Sequence, residues 1–458
     1  MIENDAFKLL LINLFHLNPD DIANIFCTTF NKMMVLLVTL ADKHQACPYC
    51  GFTAPKIKEY VTKEITHSAL TTQKCIIKYR ARRYKCSCCG KTYYEFNPFV
   101  FKSQKISILT VHNILKDLKD FNETFTSVAR RYHVSPTSVS TIFDNHVDIG
   151  RNPLPEIINF DEVYAFKSEK SKYVCVLLDF KKQIPVDVLP NRKKEYLLNY
   201  FQKIPLEERK KVKYACSDMY EVYRDVVHKV FPCSCMLLDY FHLSQDFHRK
   251  MNEVRIKVMK GYKDDKASDE YYLLKKFNWL LFKNPEDEDK YGRLFDVERE
   301  RKYNSHFKSY MNYYDLRRKL LEINNDLTIC YSLKLELVDF YSKSTIDNAQ
   351  VNLEHLIRSC IDTNIEEMIA FSNNLINWKQ EIINSFTIVG TEYKVEADKG
   401  QVVVCNKKVN NAIIENRNKI IKCIKNNANG YTNWSRFRNR VMYVLDPNTT
   451  FSLEPREK

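Results

Sequence analysis

Long apolar runs are missing from this chain of 458 residues. Its most apolar stretches, Leu9 to Phe15 and Met33 to Ala41, fall well short of the ~18 residues a membrane-spanning helix needs, and no secretory leader is visible. Membrane is therefore not an expected partner. Glycine is scarce, with 8 residues, while Asn, Lys and Ile are plentiful, a bias that an AT-rich genome alone accounts for. An even cysteine framework in a small domain is also lacking. Most of the 15 cysteines are scattered singly, which argues for a reducing interior and against a secreted disulfide scaffold. Finally, acid is in deficit: the formal net charge is +14 on a composition 45% hydrophobic and 13% aromatic. That composition is too apolar for disorder, and surplus cations on a folded protein favour a polyanion, of which nucleic acid is the commonest. The length calls for about two to four domains.

What is present begins with Cys47-Pro48-Tyr49-Cys50-Gly51, answered about 35 residues later by Cys86-Ser87-Cys88-Cys89-Gly90. Two such knuckles can each grip one side of a tetrahedral Zn²⁺ through Cys47, Cys50, Cys86 and Cys89, with the following glycine letting the backbone turn toward sulfur. The plain alternative is a redox pair or incidental buried thiols, but one Cys-x-x-Cys would serve redox chemistry and the second would be superfluous. Cys88 is a substitute ligand, and Cys75 reads as core. Tyr79 to Lys85 alternates basic and aromatic residues on an expected strand, making Arg82 and Arg83 candidate phosphate contacts. Ile106 to Asp120 has helical spacing. Thr126 to Val139 then reads as helix, tight turn, helix, with Ser135 as N-cap and Pro136 at the first helical position. Val128, Ala129, Val134, Val139 and Ile142 form its apolar seam, leaving Thr137, Ser138 and Thr141 outward. This is either a helix-turn-helix reading DNA or a plain helical hairpin.

Ile157 to His242 organises the chain. Ile157-Ile158-Asn159-Phe160-Asp161-Glu162, Tyr173 to Asp179, Ile184 to Leu189, Val212 to Cys216 and the run into Leu237-Leu238-Asp239-Tyr240-Phe241-His242 read as strands. The first three follow through short links, and the last two come after amphipathic segments, Lys193 to Lys203 and Met219 to Lys229, long enough for helices. That order predicts an α/β fold with a mixed sheet covered by helices. Asp161 and Asp218 lie at strand ends, where ligands of open α/β sheets gather. Either could instead start a turn, and Asp218 has the look of an N-cap.

From Glu253 to about Ser385 the pattern is helical with mixed charge, an inserted all-helical domain with Trp279 and Trp378 as core anchors. Tyr393 to Glu396 and Val402 to Cys405, flanking Asp398-Lys399-Gly400, predict a hairpin. Lys407 to Arg440 then carries nine Lys or Arg and one acid, Glu415. On a helix, Glu415, Asn418, Lys419 and Lys422 share a face. Glu415 could pair with Lys419 and Lys422; alternatively those cations meet DNA phosphates and the acid meets a metal. Three carboxylates on separate elements, Asp161, Asp218 and Glu415, can hold two divalent ions for in-line phosphoryl transfer, and hard oxygen ligands select Mg²⁺ or Mn²⁺.

On these elements, together with Tyr223, Phe231-Pro232, Trp279-Leu280-Leu281, Asn411-Ala412 and Gly430-Tyr431, the chain resembles the zinc-ribbon DDE transposases of bacterial insertion sequences, in particular the ISL-three group. The resemblance implies an RNase H-like sheet interrupted by a helical insertion, with N-terminal zinc ribbon and helix-turn-helix, and Asp161, Asp218 and Glu415 as metal triad. It implies cleavage at terminal inverted repeats followed by strand transfer, by a homodimer on double-stranded DNA in the bacterial cytoplasm, associated with the nucleoid. Asp239 and His242 match a D-x-x-H signature with a supporting role, though His242 could equally be a satisfied core residue. Asn418, Lys419, Lys422 and Lys425 join the DNA-contact candidates. Expected units are 1–100, 101–150, 151–262, 263–398 and 399–458. Glu366 and Glu367 are the fallback for the third acid. A DNA-binding regulator with an inert catalytic fold, and a nuclease that cuts without joining, remain open alternatives.

Overall fold

The computed structural model describes residues 2–43, 45–53, 55–101, 104–166, 171–395 and 402–456. The first forty residues, whose short apolar runs fit helix or strand equally, form α1 (Ile2–Leu14) and the hairpin β1 (Ile22–Phe30) and β2 (Met33–Leu40). Asn31 and Lys32 take φ of 49° and 61° at its tip, the left-handed turn whose twist matches paired strands. With β3 (Lys56–Thr66), β4 (Cys75–Lys85) and β5 (Thr92–Tyr94) they build a sheet of order β1-β2-β4-β3, β5 pairing with β4. Leu11 and Ile12 of α1, and Phe15 just after it, join Ile65, Cys75 and Ile77 in its core.

α2 (Ile108–Asp117), α3 (Phe125–Arg131) and α4 (Pro136–His146) follow. The expected helix, turn and helix are there: the Ser135 hydroxyl accepts the Ser138 N–H at 3.0 Å, Pro136 opens α4, and His133 makes the turn at φ 53°. Val128, Ala129, Val139 and Ile142 are buried in the seam.

The central sheet comprises β6 (Ile157–Val163), β7 (Val174–Asp179), β8 (Pro185–Leu189), β9 (Tyr214–Ser217) and β10 (Cys235–Leu238), with α5 (Lys194–Gln202), α6 (Leu206–Arg209) and α7 (Glu221–Val230) in the crossovers. It is antiparallel across β6, β7 and β8 and parallel across β6, β9 and β10, the mixture that the connection lengths predict, and its spatial order is β10-β9-β6-β7-β8. Successive side chains of a strand take opposite faces. Ile158 and Phe160 accordingly pack with Leu197, Phe201 and Tyr223 of α5 and α7, whereas Val163, and with it Asp161 and Asn159, turns to the other face.

α8 (Tyr240–Lys260) leaves the end of β10 and opens the insertion, which continues through α9 (Asp269–Lys276), β11 (Glu288–Asp289), β12 (Gly292–Arg293), β13 (Lys302–Asn304), β14 (Ser309–Met311), α10 (Tyr313–Glu322), α11 (Asn325–Lys343), α12 (Ala349–Asp362), α13 (Glu366–Asn377) and α14 (Lys379–Asn384). The helices enclose one core, in which Trp378 is buried and against which Trp279 packs. An all-helical insertion is thus corrected: β11 with β12 and β13 with β14 form two small hairpins. Their strands are two or three residues long, too short to carry an alternation.

The chain returns through the hairpin β15 (Ile388–Val395) and β16 (Val402–Lys408), longer than expected; Glu396 and the Asp398-Lys399-Gly400 turn lie outside the described residues. α15 (Ala412–Asn427) and α16 (Trp434–Leu445) then cover the face of β6 opposite α5 and α7: Ile414, Ile421, Phe437 and Val441 pack with Val163, Val174 and Val176. Tyr443, on the far side of α16, is part of the core of α2, α3 and α4. Arg440, 1% exposed, donates to the carbonyls of Asp120 and Glu123 at 2.8 Å each. The last helix therefore wedges the three-helix unit onto the central sheet, across the expected boundary near residue 150. No helix among the described residues is long and apolar enough to cross a membrane. Phe437→Ala, which empties a fully buried position in this wedge, should remove about 3–5 kcal/mol of stability, read from urea unfolding.

Candidate active site

Register brings the acids together. β6 pairs in parallel with β9 as Asn159 with Cys216, and β9 pairs with β10 as Ser217 with Leu238. Carried onward, that register sets Asp161 level with Asp218 and Asp218 level with Asp239, on neighbouring strands about 4.8 Å apart. Parallel partners in register share a face, so three aspartates stand in a row at one edge of the sheet. Asp218 is not an N-cap: the cap position of α7 is Tyr220, with no side-chain capping bond. Asp239 does occupy the cap position of α8, yet its side chain makes no capping bond.

α15 closes over this row. Asn159, wholly buried, donates its amide to the Asn410 carbonyl at 2.8 Å and to Asn411 Oδ1 at 2.6 Å, and Asn411 donates to the Phe160 carbonyl at 3.3 Å. One turn along, Glu415 faces His242; the next turn brings Asn418, whose amide donates to Asp161 Oδ2 at 2.7 Å. The Glu162 backbone N–H holds the other Asp161 oxygen at 2.7 Å. Nε2 of His242 stands 3.7 Å from Asp239 Oδ2 and 3.8 Å from Glu415 Oε1, beyond hydrogen-bond reach. Ligand atoms of Asp239, His242 and Glu415 all lie within 4.8 Å of one another, so the tightest grouping is not the expected Asp161, Asp218 and Glu415 but draws in the D-x-x-H pair. Glu366 and Glu367 instead face Lys257 at 3.7 and 3.5 Å within the insertion.

The electrostatics match the crowding. Burial pushes Asp161 up to about 7, with repulsion from Asp218 and Glu162 adding to it. Burial pushes Asp218 up to about 6, with Glu162 adding and His242 and Arg192 opposing, and Asp239 is raised for the same first reason. Asp218 Oδ1 and His242 Nε2 are buried without a hydrogen-bond partner. Buried carboxylates with unspent oxygen lone pairs are the donor set a divalent cation fits.

A second cluster lies in the N-terminal sheet. The two knuckles have one geometry: the Gly51 N–H donates to the Cys47 carbonyl at 2.9 Å and the Gly90 N–H to the Cys86 carbonyl at 3.0 Å, with both glycines at positive φ, 73° and 71°. Cys47 and Cys89 sulfurs are 3.7 Å apart, those of Cys50 and Cys86 3.5 Å. A tetrahedron with Zn–S of about 2.3 Å has edges of about 3.8 Å, so the four thiols fit one zinc ion.

A transposase family, the ISL3 group, matches residues 158–397. The chain belongs to the ISL3 transposase family. It is also 20% identical to the transposase for insertion sequence element IS1001 of Bordetella parapertussis over 409 residues, 89% of this chain and 90% of that one. The family match takes in Asp161, Asp218, Asp239 and His242 and stops before Glu415.

The remaining candidates fall into two groups. Thr137 and Thr141 are exposed on α4, Ser138 is half-buried, and Lys419 and Lys422 are exposed on α15. Lys425 lies over the Tyr164 ring at 4.9 Å. Arg82 is occupied internally, paired with Glu95 at 2.8 Å and donating to the Leu40 and Ala41 carbonyls. Arg83 pairs with Glu59 at 2.7 Å, and Asn418 turns inward to Asp161 rather than outward. Sequence reasoning missed Glu162, Arg192 and the amide clasp of Asn159 and Asn411. Arg192 lies 4.7 Å from the rings of both Tyr173 and Tyr220 and pairs with Glu162, which also accepts from the Tyr223 hydroxyl at 3.3 Å. The one available signal was the acidic doublet 161–162, whose members alternate faces.

The raised aspartates make stability depend on pH in a definite sense. Their folded values exceed the ordinary 3.8, so the folded chain keeps protons that the unfolded chain has released, and stability from this source is lost as pH rises from about 4 to about 7. In divalent-free buffer the Tm should fall over that window. Asp161→Asn should flatten the decline, and added Mn²⁺ should reverse it.

Proposed function

We propose that this protein binds the terminal inverted repeats of an insertion sequence, cleaves a DNA strand there and joins the freed end to target DNA. The alignment of Asp161, Asp218 and Asp239 beneath Glu415 carries the reading. A row of buried acids on a protein of net charge +14 has its use where metal ions and a polyanion meet.

Asp161, Asp218 and Glu415 would hold Mg²⁺ or Mn²⁺, which when bound lowers the pKa of a water or 3′-hydroxyl and stabilises a leaving oxygen. The chain's own part is to hold the ligands still. Asn418 and the Glu162 amide fix both oxygens of Asp161, leaving it one orientation. Arg192 draws Glu162 to the opposite side of β6, so that the doublet contributes one acid rather than two. His242 stands between Asp239 and Glu415, with its Nε2 3.7 Å from one and 3.8 Å from the other. Such an arrangement on a mixed sheet interrupted by an insertion supports an RNase H-like core.

The recognition parts are α4, whose Thr137, Ser138 and Thr141 would meet base edges in the major groove, and α15, whose Lys419, Lys422 and Lys425 would track phosphates. Zn²⁺ held by Cys47, Cys50, Cys86 and Cys89 would brace the N-terminal sheet. Two inverted repeats brought together call for two copies, hence a homodimer on DNA in the bacterial cytoplasm.

The test supplies purified protein, Mn²⁺ and labelled DNA carrying the sequence that flanks the gene. Joined products are expected; nicks alone would mean a nuclease, and bound but intact DNA a regulator. Asp161→Asn or Asp218→Asn should lower cleavage on the order of a thousand-fold or more with repeat binding intact in a gel-shift assay. Cys86→Ser should cost the chain its zinc, counted by elemental analysis, and weaken binding.

A further inference from the structure

α8 carries more than His242 toward the acids. His242, Gln245, Arg249 and Asn252 recur at intervals of three and four, one face of the helix, and with His248, Phe282 and Asp218 they line a cavity of about 640 Å³. That volume is in the range of small-ligand sites, and its wall includes an acid of the row.

The chemistry of the lining selects among the parts of a DNA strand. Two carboxylates, Asp218 and Asp246, face one guanidinium, and Arg249 is already paired with Asp246. Asp218 belongs to the proposed metal site, and no unpaired guanidinium or ammonium among the lining side chains is left for a phosphate. A neutral planar group needs none: the His248 and Phe282 rings meet edge to face, 5.4 Å apart, so a planar group can stack on one and meet the edge of the other. The side-chain amides of Gln245 and Asn252 offer both donors and acceptors. Asn252 Oδ1 accepts from Arg255 Nε at 2.8 Å, which leaves its NH₂ to donate inward. Burial and the nearby Lys334 charge hold the His248 imidazole below its ordinary range, so it too presents a donor and an acceptor near pH 7.

We infer that this cavity receives one unpaired nucleobase of the DNA next to the cleaved phosphate, stacked on one of the His248 and Phe282 rings, against the edge of the other, and read by Gln245 and Asn252. The inference rests on the DNA-cleaving function proposed above. A base paired and stacked in a duplex has both faces covered, so a base that stacks on one of these rings must leave the stack, at a cost that falls when its partner is absent.

The experiment first maps the cut on the natural end with Mn²⁺, then uses duplexes in which each nucleotide within three of that cut is replaced in turn by an abasic residue. For the unaltered protein, one abasic position should lower kcat/KM about ten-fold. Gln245→Ala and Asn252→Ala, both on solvent-accessible side chains, should cut the intact end more slowly and no longer distinguish it from that abasic duplex. A 2-aminopurine at the same position should brighten on binding to the unaltered protein. Abasic duplexes all cut within two-fold of the intact one would overturn the base pocket while leaving the cleavage function standing. So would variants that slow every duplex by the same factor. A protein that neither binds nor cuts the end would overturn both.

Discussion

Two asparagines hold this molecule in register. Asn159 on the third strand-position of β6 and Asn411 at the start of α15 are separated by 252 residues in sequence, and each spends its side chain on the other's element. Buried amides left unpaired cost roughly 1–3 kcal/mol apiece, so the clasp accepts only one placement of α15 along the strand. A slip of one residue would turn the helix by about 100° and carry both Glu415 and Asn418 away from the acids. The face that α15 presents to the sheet is otherwise apolar, Ile414, Ile421 and Ile424, and aliphatic packing alone would tolerate such a slip.

Given that register, the sheet does the rest by repetition. Three parallel strands carry an aspartate at the same level, Asp161 within β6 and Asp218 and Asp239 directly after β9 and β10, and the strands' spacing fixes the spacing of the carboxylates. The arrangement is unfavourable by itself, since burial and mutual repulsion raise Asp161 and Asp218 well above the usual carboxylate range. Neighbouring groups limit the strain without removing it: Arg192, held between two tyrosine rings, neutralises Glu162 on the far side, and His242 stands between Asp239 and Glu415. What is left is a deficit of positive charge at one edge of a protein that is cationic overall.

The insertion and the terminal helices are tied to that edge. α8 begins at the end of β10, so the first helix of the insertion carries His242 into the acid row before it reaches its own core. Asn384 at the insertion's other end donates to the Met236 carbonyl at 2.9 Å, which closes the excursion onto β10. On the opposite side, α16 packs Phe437 against the sheet and Tyr443 against α2 to α4, and Arg436 pairs with Asp144 of α4 at 2.6 Å. The helix-turn-helix shape and the acid row are thus parts of one packed body, with a single helix as the spacer between them.

The sequence by itself determined the elements and their chemistry. Apolar runs and link lengths were enough for the strands β6 to β10 and their mixture of directions, the four thiols announced themselves by spacing, and Asp161, Asp218 and Glu415 stood out by their positions at strand ends and on a basic helix. These are local properties, written within a few residues of one another. The N-terminal hairpin was illegible because short apolar runs fit helix or strand equally, and the insertion's hairpins because two residues cannot alternate. Only the tertiary structure decided that Asn418 points inward to Asp161, that Arg82 is held by Glu95, and that Asp239 and His242 stand with Glu415. Each of those depends on a partner distant in the chain, and side-chain direction at such positions is set by the packing of one element on another.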